Sequence, residues 1–382
     1  MTVMADSFSP NEAERYRRQL DLPGFGAAGQ RRLRDTSVLI VGAGGLGTPV
    51  SLYLAAAGVG RIGLADFDRV DRSNLHRQVL YTERDIGAAK TKTLASRLRD
   101  VNPHVDVVEH PVRLTAENAL DVINGYDIVA DGTDRFETRY LVNDACVLAG
   151  VPNAFASVNR FEGQLSVFGA PGRPCYRCVF PEPPPAGLVP SCAEGGVLGV
   201  VPGIMGTLQA TEVIKIASGV GSSMTGRLLL MNALDMTFRT IEIDRDPACS
   251  ICGDAPTRTS LVSPSPAACT MPVPEITVQD LNQMTQEGKR PFLVDVRQPE
   301  EHQIGHIDGA LIPLGELPDR LDELEPHRED EQIVVHCRSG GRSGKAVEFL
   351  QSKGFTNVVN LKGGILAWNA EIDPSVSTEM PG

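Results

Sequence analysis

Basic residues are the minority charge in this chain: 36 Lys and Arg against 48 Asp and Glu leave a formal net charge of −12. An acidic surface attracts neither nucleic acid nor an anionic membrane, so both are excluded as principal partners. The opening segment MTVMADSFSPNEAERYRRQL lacks the apolar core of a signal peptide, which predicts a cytoplasmic protein. In that compartment the eight cysteines stay reduced, which turns attention from disulfides to metal ligands and nucleophiles. Charge is also missing altogether from Val38 to Gly60. A membrane span would read that way, but Pro49 and the clustered glycines suit a strand, a turn and a helix better. At 382 residues the chain has room for two domains, each with its own core.

What is present is organised around Val38 to Asp68. The apolar, β-branched run Val38–Val41 reads as a buried strand, and Gly42, Gly44 and Gly47 fit G-x-G-x-x-G, with Gly45 as an extra small residue. Glycines there let the backbone turn tightly and approach a phosphate, while the next helix offers unpaired N–H groups. Asp66 ends the second strand, where an acid accepts hydrogen bonds from ribose hydroxyls. The fingerprint alone does not separate NAD from ATP.

The residues after Asp68 make that separation. Asn74 and Arg77, three apart, are expected on one helical face, and Lys90 opens a new helix after the Gly87 break. A dehydrogenase needs no such cations beside its cofactor. Cleavage of ATP between the α- and β-phosphates does, because charge accumulates on departing pyrophosphate. Strands are expected at Val105–Val108 and Asp127–Ala130, the second running into Asp131-Gly132-Thr133-Asp134. Ligands of an open α/β sheet sit beyond the carboxyl ends of strands, which suits Asp134 to Mg²⁺; it also suits a helix cap for Arg135 onward. The charged segment Arg15–Gln19 reads by itself as a solvated face.

Cys175 and Cys178, then Cys249 and Cys252, form two C-x-x-C pairs. Four thiolates from a reduced compartment can close a tetrahedral, structural zinc site that pins distant parts of one domain. A redox C-x-x-C is the alternative, without a thioredoxin-like context around either pair. Between the pairs, Pro181–Pro190 is an expected exposed loop delivering Cys192, a candidate nucleophile or a small buried residue. Ile204–Ala217 reads as a largely apolar helix for a core or an interface.

The composition turns to Pro, Ser and Thr over 255–274, a linker, so the domains are placed at 1–254 and 275–382. In the second, PFLVDVR is a buried strand ending at Asp295 and Arg297. A further strand, QIVVH, runs into Cys337, Arg338, Ser339, Gly340, Gly341 and Arg342, then a helix. A cysteine at a helix N-terminus among arginines and glycines favours thiolate, and the loop N–H groups can cradle an anion on its sulfur. The C-x4-R spacing is one residue shorter than a phosphatase loop and suits a persulfide.

Through RYRRQ, GAGGLG, DFDRVDRSNLHRQ, the Lys90 segment, DGTD, EGQ, CYRC and CSIC, residues 11–253 resemble the ubiquitin-activating-enzyme superfamily, in particular its ThiF/MoeB adenylyltransferases. The second domain resembles a rhodanese through LVDVR, GHIDGA, CRSGGRS and LKGGILAW. The resemblance implies an α/β chain: a Rossmann-like adenylation domain followed by a smaller α/β rhodanese domain. It further implies an ATP and Mg²⁺ site at Gly45, Asp66, Asn74, Arg77, Lys90 and Asp134, with Arg18 reaching in from the partner of a homodimer. Arg135 departs from the family's usual Asn. Cys192 matches a loop cysteine that some relatives use in a covalent intermediate. The implied reaction adenylates the C-terminal glycine of a small ubiquitin-like sulfur carrier ending in Gly-Gly. Sulfur, drawn from thiosulfate or a cysteine desulfurase, then passes from a Cys337 persulfide to leave a thiocarboxylate, as in molybdopterin, cysteine, thiamine or tRNA-thiolation pathways. The alternative is an adenylyltransferase whose rhodanese activity is independent.

Overall fold

Residues 8–183, 196–262, 273–289, 291–329 and 332–378 are described by a computed structural model. They fall into two compact units, one holding the described residues up to 262 and the other those from 273. Cys192, Cys269 and residues 263–272 of the expected linker lie outside the described residues. No described helix is long and apolar enough to cross a membrane.

The first unit is built on an eight-stranded sheet in the order β3-β2-β1-β4-β5-β6-β7-β8. Its strands are β1 (Ser37–Val41), β2 (Arg61–Ala65), β3 (Asp106–His110), β4 (Ile128–Asp131), β5 (Asn153–Asn159), β6 (Glu162–Phe168), β7 (Arg227–Asn232) and β8 (Thr237–Glu242). The first five pair in parallel and the last three are antiparallel. Helices cover both faces of the parallel part, which explains why β1, β2 and β4 are near-continuous apolar runs rather than alternating ones. Strand order reverses at β1, which pairs with β2 on one side and β4 on the other. That reversal opens a crevice beyond the strand ends.

The backbone at the crevice comes very close to itself. Gly42 has φ +92°, and a Cβ on Gly47 would stand 1.9 Å from the Gly42 carbonyl oxygen. The helix Gly47–Ala57 therefore starts directly against the turn, and ends at Gly58 in the left-handed region. The long helix Val200–Ser218 packs against it; Pro202 lies 3.1 Å from where a Gly45 Cβ would be. The sequence places this helix at Ile204–Ala217; it begins one turn earlier.

Two local expectations are corrected. Arg15–Gln19 is not solvated throughout: the helices Pro10–Arg15 and Arg17–Leu20 are separated at the buried Tyr16, whose ring packs on Gly58 and whose hydroxyl accepts from Asn102 Nδ2 at 2.8 Å. Burying Tyr16 there costs the helix its continuity. Asn74 and Arg77 sit on a 3₁₀ turn (Arg72–Asn74) and the turn after it, where the Asn74 carbonyl accepts from the Arg77 N–H at 3.1 Å.

The second unit has a five-stranded parallel sheet in the order β11-β10-β12-β13-β9, comprising β9 (Glu275–Ile276), β10 (Phe292–Asp295), β11 (Ala310–Leu311), β12 (Ile333–His336) and β13 (Val358–Leu361). The central β12 is buried along its whole length, and the chain leaves it through residues 337–340 into the helix Gly341–Ser352.

The glycine contacts make a test. Gly47→Ala should cost about 3 kcal/mol by urea titration, because the clash is with backbone that cannot move aside. Gly44→Ala, whose Cβ would meet only the Gln78 amide at 3.6 Å, should stay within about 0.5 kcal/mol of the parent.

Candidate functional site

At the crevice of the first unit lies a cavity of about 290 Å³. Gly42, Gly44, Gly45, Asp66, Asn74, Arg77, Lys90 and Asp134 all line it. Of the other positions singled out for a nucleotide, Gly47 lies outside the lining, behind the turn, and Arg18 is exposed on the helix Arg17–Leu20, away from the cavity of its own chain.

The acid and the glycine turn are one hydrogen-bonded piece. Asp66, one residue past β2, accepts from the Ala43 N–H on Oδ2 and from the Asp68 N–H on Oδ1, both at 2.7 Å. Lys90, buried at the start of the helix Lys90–Val101, donates from Nζ to Asp68 Oδ2 at 3.1 Å. Tyr81 braces the turn by donating to the Ala43 carbonyl at 2.9 Å, and burial pushes its phenol well above the usual range. Behind the lining residue Thr133, the buried Asp131 accepts from the Thr133 N–H and hydroxyl at 3.0 and 2.7 Å, and burial raises its carboxyl above the ordinary value. Asp134 itself is exposed at the rim. It does not cap the following helix, which begins at Phe136 with Arg135 in the cap position and no side-chain bond to its N–H groups.

Three lining residues went unread in the sequence. Gln78 is buried with its Oε1 unpartnered, while its Nε2 donates to Asn74 Oδ1 at 3.1 Å. Arg113 lies over the Phe67 ring, 4.3 Å from its centroid, and both line the cavity. Arg139 is buried in the wall and donates to the Thr133 carbonyl at 3.2 Å. The Gln of SNLHRQ and the Arg of ETR are signals only once the fold has turned them inward.

The four cysteines do meet. All their sulfurs lie within 4.8 Å of one another, with Cys175 to Cys249 at 3.7 Å, Cys178 to Cys252 at 3.3 Å and Cys175 to Cys178 at 4.0 Å. Sulfurs about 2.3 Å from a tetrahedral zinc stand roughly 3.8 Å apart, so the set fits that ion and leaves no open position. Cys178 also accepts from the Asp246 N–H at 3.4 Å. The bond from Cys175 favours thiolate at Cys178, lowering it to about 5, and the same bond pushes the Cys175 thiol up. Only a cation among them would let all four sulfurs stand as thiolates together.

In the second unit the Cys337 sulfur is buried and accepts from the Gly340 N–H at 3.2 Å and the Ser343 hydroxyl at 3.3 Å. Gly340 has φ +95°, so its N–H can turn back to the sulfur. Arg342, expected as a cation near the sulfur, makes a bidentate pair with Glu301, both bonds 2.7 Å, and its charge also faces Cys337. Arg338 and Ser339 stand on the loop, and the Cys337 and Arg338 carbonyls accept from Ile365 and Leu366 of the LKGGILAW segment. Beneath, Asp295 and Arg297 are not simply a strand end but a buried ion pair, closest at 2.6 Å. Burial opposes ionisation of Asp295, but bonds from Arg297 and His302 with the field of His336 outweigh it and hold the carboxyl at about 2. His336, fully buried with both ring nitrogens unpartnered, is lowered to about 4 by burial first and then by the Arg297 charge, against the pull of Asp295.

This is the fold and the cavity of a ThiF protein carrying a second, rhodanese-like unit: residues 16–251 match the ThiF family and 277–371 the rhodanese-like domain. The chain belongs to the ThiF family, and more narrowly to those members that join adenylyltransferase and sulfurtransferase units. It is 43% identical over 384 residues to the "Probable adenylyltransferase/sulfurtransferase MoeZ" of Mycobacterium tuberculosis, covering 97% of this chain and 96% of that one. It is 46% identical to adenylyltransferase and sulfurtransferase MOCS3 of Sus scrofa, over 96% of this chain and 88% of the other. The sulfur carrier protein adenylyltransferase of Thermus thermophilus, 52% identical, spans 67% of this chain and 96% of itself. Among solved structures, Escherichia coli MccB with AMPCPP and MccA superimposes with a TM-score of 0.55 at 26% identity, over 64% of this chain and 75% of that one.

Two measurements follow from the geometry. Zinc should be present at one ion per chain, and chelation should lower the melting temperature of the first unit, since metal and folding free energies are linked. Because His336 has a depressed value, its stabilising contribution is complete above pH ~6.5 and is lost as pH falls toward about 4, roughly 3 kcal/mol in all. Fluorescence of Trp368, the one tryptophan and part of the second unit's core, should report this loss. His336→Leu should flatten the profile across that window.

Proposed function

We propose that this chain adenylates the C-terminal glycine of a small ubiquitin-like sulfur carrier ending in Gly-Gly and then converts it to a thiocarboxylate with sulfur carried on Cys337. The observation that carries the reading is one cavity gathering the glycine turn, Asp66, the cations Arg77 and Lys90, and Asp134, in a chain whose second unit ends its central strand on the Cys337 loop. Relatives covering both units bear names that pair the same two activities.

In the first step the carrier carboxylate oxygen attacks the α-phosphorus of ATP, and the bond to pyrophosphate breaks. Asp66 takes the ribose hydroxyls while the N–H groups of the glycine turn face the phosphates. Asn74, Arg77 and Lys90 orient the phosphates and offset the charge that builds on pyrophosphate, with Arg18 supplied by the second subunit of a homodimer. Asp134 would hold Mg²⁺, which when bound supplies further neutralisation of that charge.

In the second step a Cys337 persulfide attacks the acyl carbonyl and AMP leaves, giving a carrier acyl disulfide on Cys337. The Gly340 N–H and Ser343 hydroxyl hold the attacked cysteine's own sulfur in place. The Cys192 thiolate then attacks the Cys337 sulfur, forming a disulfide between the two and releasing the carrier thiocarboxylate; two external thiols reduce that disulfide in succession and leave as their own disulfide. Joining both chemistries in one chain limits hydrolysis of the mixed anhydride. The reading places the protein in a cytoplasm that keeps thiols reduced.

Incubation with ATP, Mg²⁺, thiosulfate and candidate carriers should raise a carrier's intact mass by the difference between sulfur and oxygen. Cys337→Ala should abolish that increase and leave carrier-dependent pyrophosphate exchange within about twofold of the parent. An undiminished thiocarboxylate yield would instead make the rhodanese activity independent.

A further inference from the structure

Between the four-cysteine cluster and the cavity runs a set of contacts to which the reaction so far assigns no task. Both inner residues of the Cys175–Cys178 turn dock on the helix Phe136–Ala149, the helix that follows the Asp134 loop. The Arg177 guanidinium makes two bonds to Asp144, at 2.8 and 2.9 Å, in a buried pair that lies over the Tyr140 ring. The Tyr176 N–H donates to Asn143 Oδ1 at 2.8 Å. A cation and a backbone amide thus tie the cysteine turn to one face of that helix.

The Tyr176 ring reaches further. With Phe136 and Phe155 it surrounds the Arg139 guanidinium, whose central carbon stands 5.2 Å from the two phenylalanine centroids and 5.9 Å from that of Tyr176. Such cages hold a planar cation by its faces. Arg139 is 8% exposed and its Nε has no hydrogen-bond partner, so the rings rather than a full set of acceptors fix its plane. Its Nη2 donates to the Thr133 carbonyl at 3.2 Å, and its charge faces the buried Asp131. Thr133 immediately precedes Asp134, and Thr133, Asp134 and Arg139 all line the cavity.

We infer that Tyr176 is a positioning residue for the nucleotide site: the cysteine turn seats its ring, the ring cages Arg139, and Arg139 fixes the Thr133 carbonyl and with it the Asp134 loop. The inference rests on the adenylation reading of the cavity. It gives the cysteine cluster a second consequence beyond holding the unit together, since the metal turn and the loop beside the phosphates share one aromatic wedge. The Tyr176 hydroxyl is the lesser part, because its contact to Arg139 Nη1 is long, at 3.5 Å.

The test is binding of AMPCPP, which cannot be cleaved between the α- and β-phosphates, to the full chain by calorimetry, with and without Mg²⁺. Zinc content and melting temperature are measured on each variant. Tyr176→Leu should weaken Mg²⁺-dependent binding about tenfold and leave metal-free AMPCPP binding within about twofold, while Tyr176→Phe should restore the parent value to within about threefold. Arg139→Lys, which leaves the cysteine turn untouched, should give the same Mg²⁺-dependent loss with zinc and melting unchanged, so the inference does not hang on Tyr176→Leu folding. Combining the two substitutions should be no worse than the stronger alone. Parent-like Mg²⁺-dependent binding by Arg139→Lys, or losses that multiply in the double variant, would overturn the coupling. If the unsubstituted chain binds no AMPCPP, the adenylation reading fails and takes this inference with it; binding by the unsubstituted chain with unaffected variants removes the coupling alone.

Discussion

The first unit's ligand chemistry depends on a backbone-to-backbone approach: the start of the helix Gly47–Ala57 is pressed against the carbonyl of Gly42 with no room for a side chain between them. That approach holds the turn of Gly42, Gly44 and Gly45 against the crevice where strand order reverses. Asp66 then locks the turn, spending both carboxylate oxygens on backbone N–H groups at Ala43 and Asp68. Asp68 in turn seats the buried Lys90. One acid, one close contact and one ion pair therefore set where a phosphate chain would lie.

The second unit meets a different constraint at an equivalent place, the end of a central buried strand. Its cysteine loop rests on a charged layer, Asp295 with Arg297, beside a neutral, fully buried His336. A buried pair of this kind is strongly disrupted when one partner is removed, though it contributes little net stability when intact. Its value lies in rigidity: Arg297 also donates to the Glu301 and Gly305 carbonyls, and Glu301 holds Arg342. The loop around Cys337 is thereby anchored from below as well as by the chain that follows it.

The parts legible in the sequence are those whose constraint is local. Glycines at Gly42 and Gly47 answer to the geometry of one turn, the apolar runs of β1, β4 and β12 to burial on both faces, and the two C-x-x-C pairs to thiolate chemistry. The parts that were not legible depend on what tertiary packing brings alongside. Nothing in the order of residues says that Arg342 is held by Glu301, 41 positions earlier. Arg139 reads as an ordinary helix cation until Phe136, Phe155 and Tyr176 close on it. Tyr16 likewise breaks a helix that propensity alone would continue, because Gly58 and Asn102 offer it a buried seat. Asp134, a good cap by type, stops short of the helix because an extended Arg135 stands between them and takes the cap position.

The spacing of the four cysteines has a kinetic meaning. Each close sulfur contact across the cluster joins positions 74 residues apart, and the segment between them includes β7, β8 and the helix Val200–Ser218. Closing a loop of that length costs chain entropy that neither C-x-x-C pair can recover by itself. Two thiolates on an unfolded stretch make a weak chelate, whereas the folded sheet presents four at once. A metal held by all four sulfurs would therefore be captured late in the life of the chain, and its affinity would measure how completely the first unit has assembled.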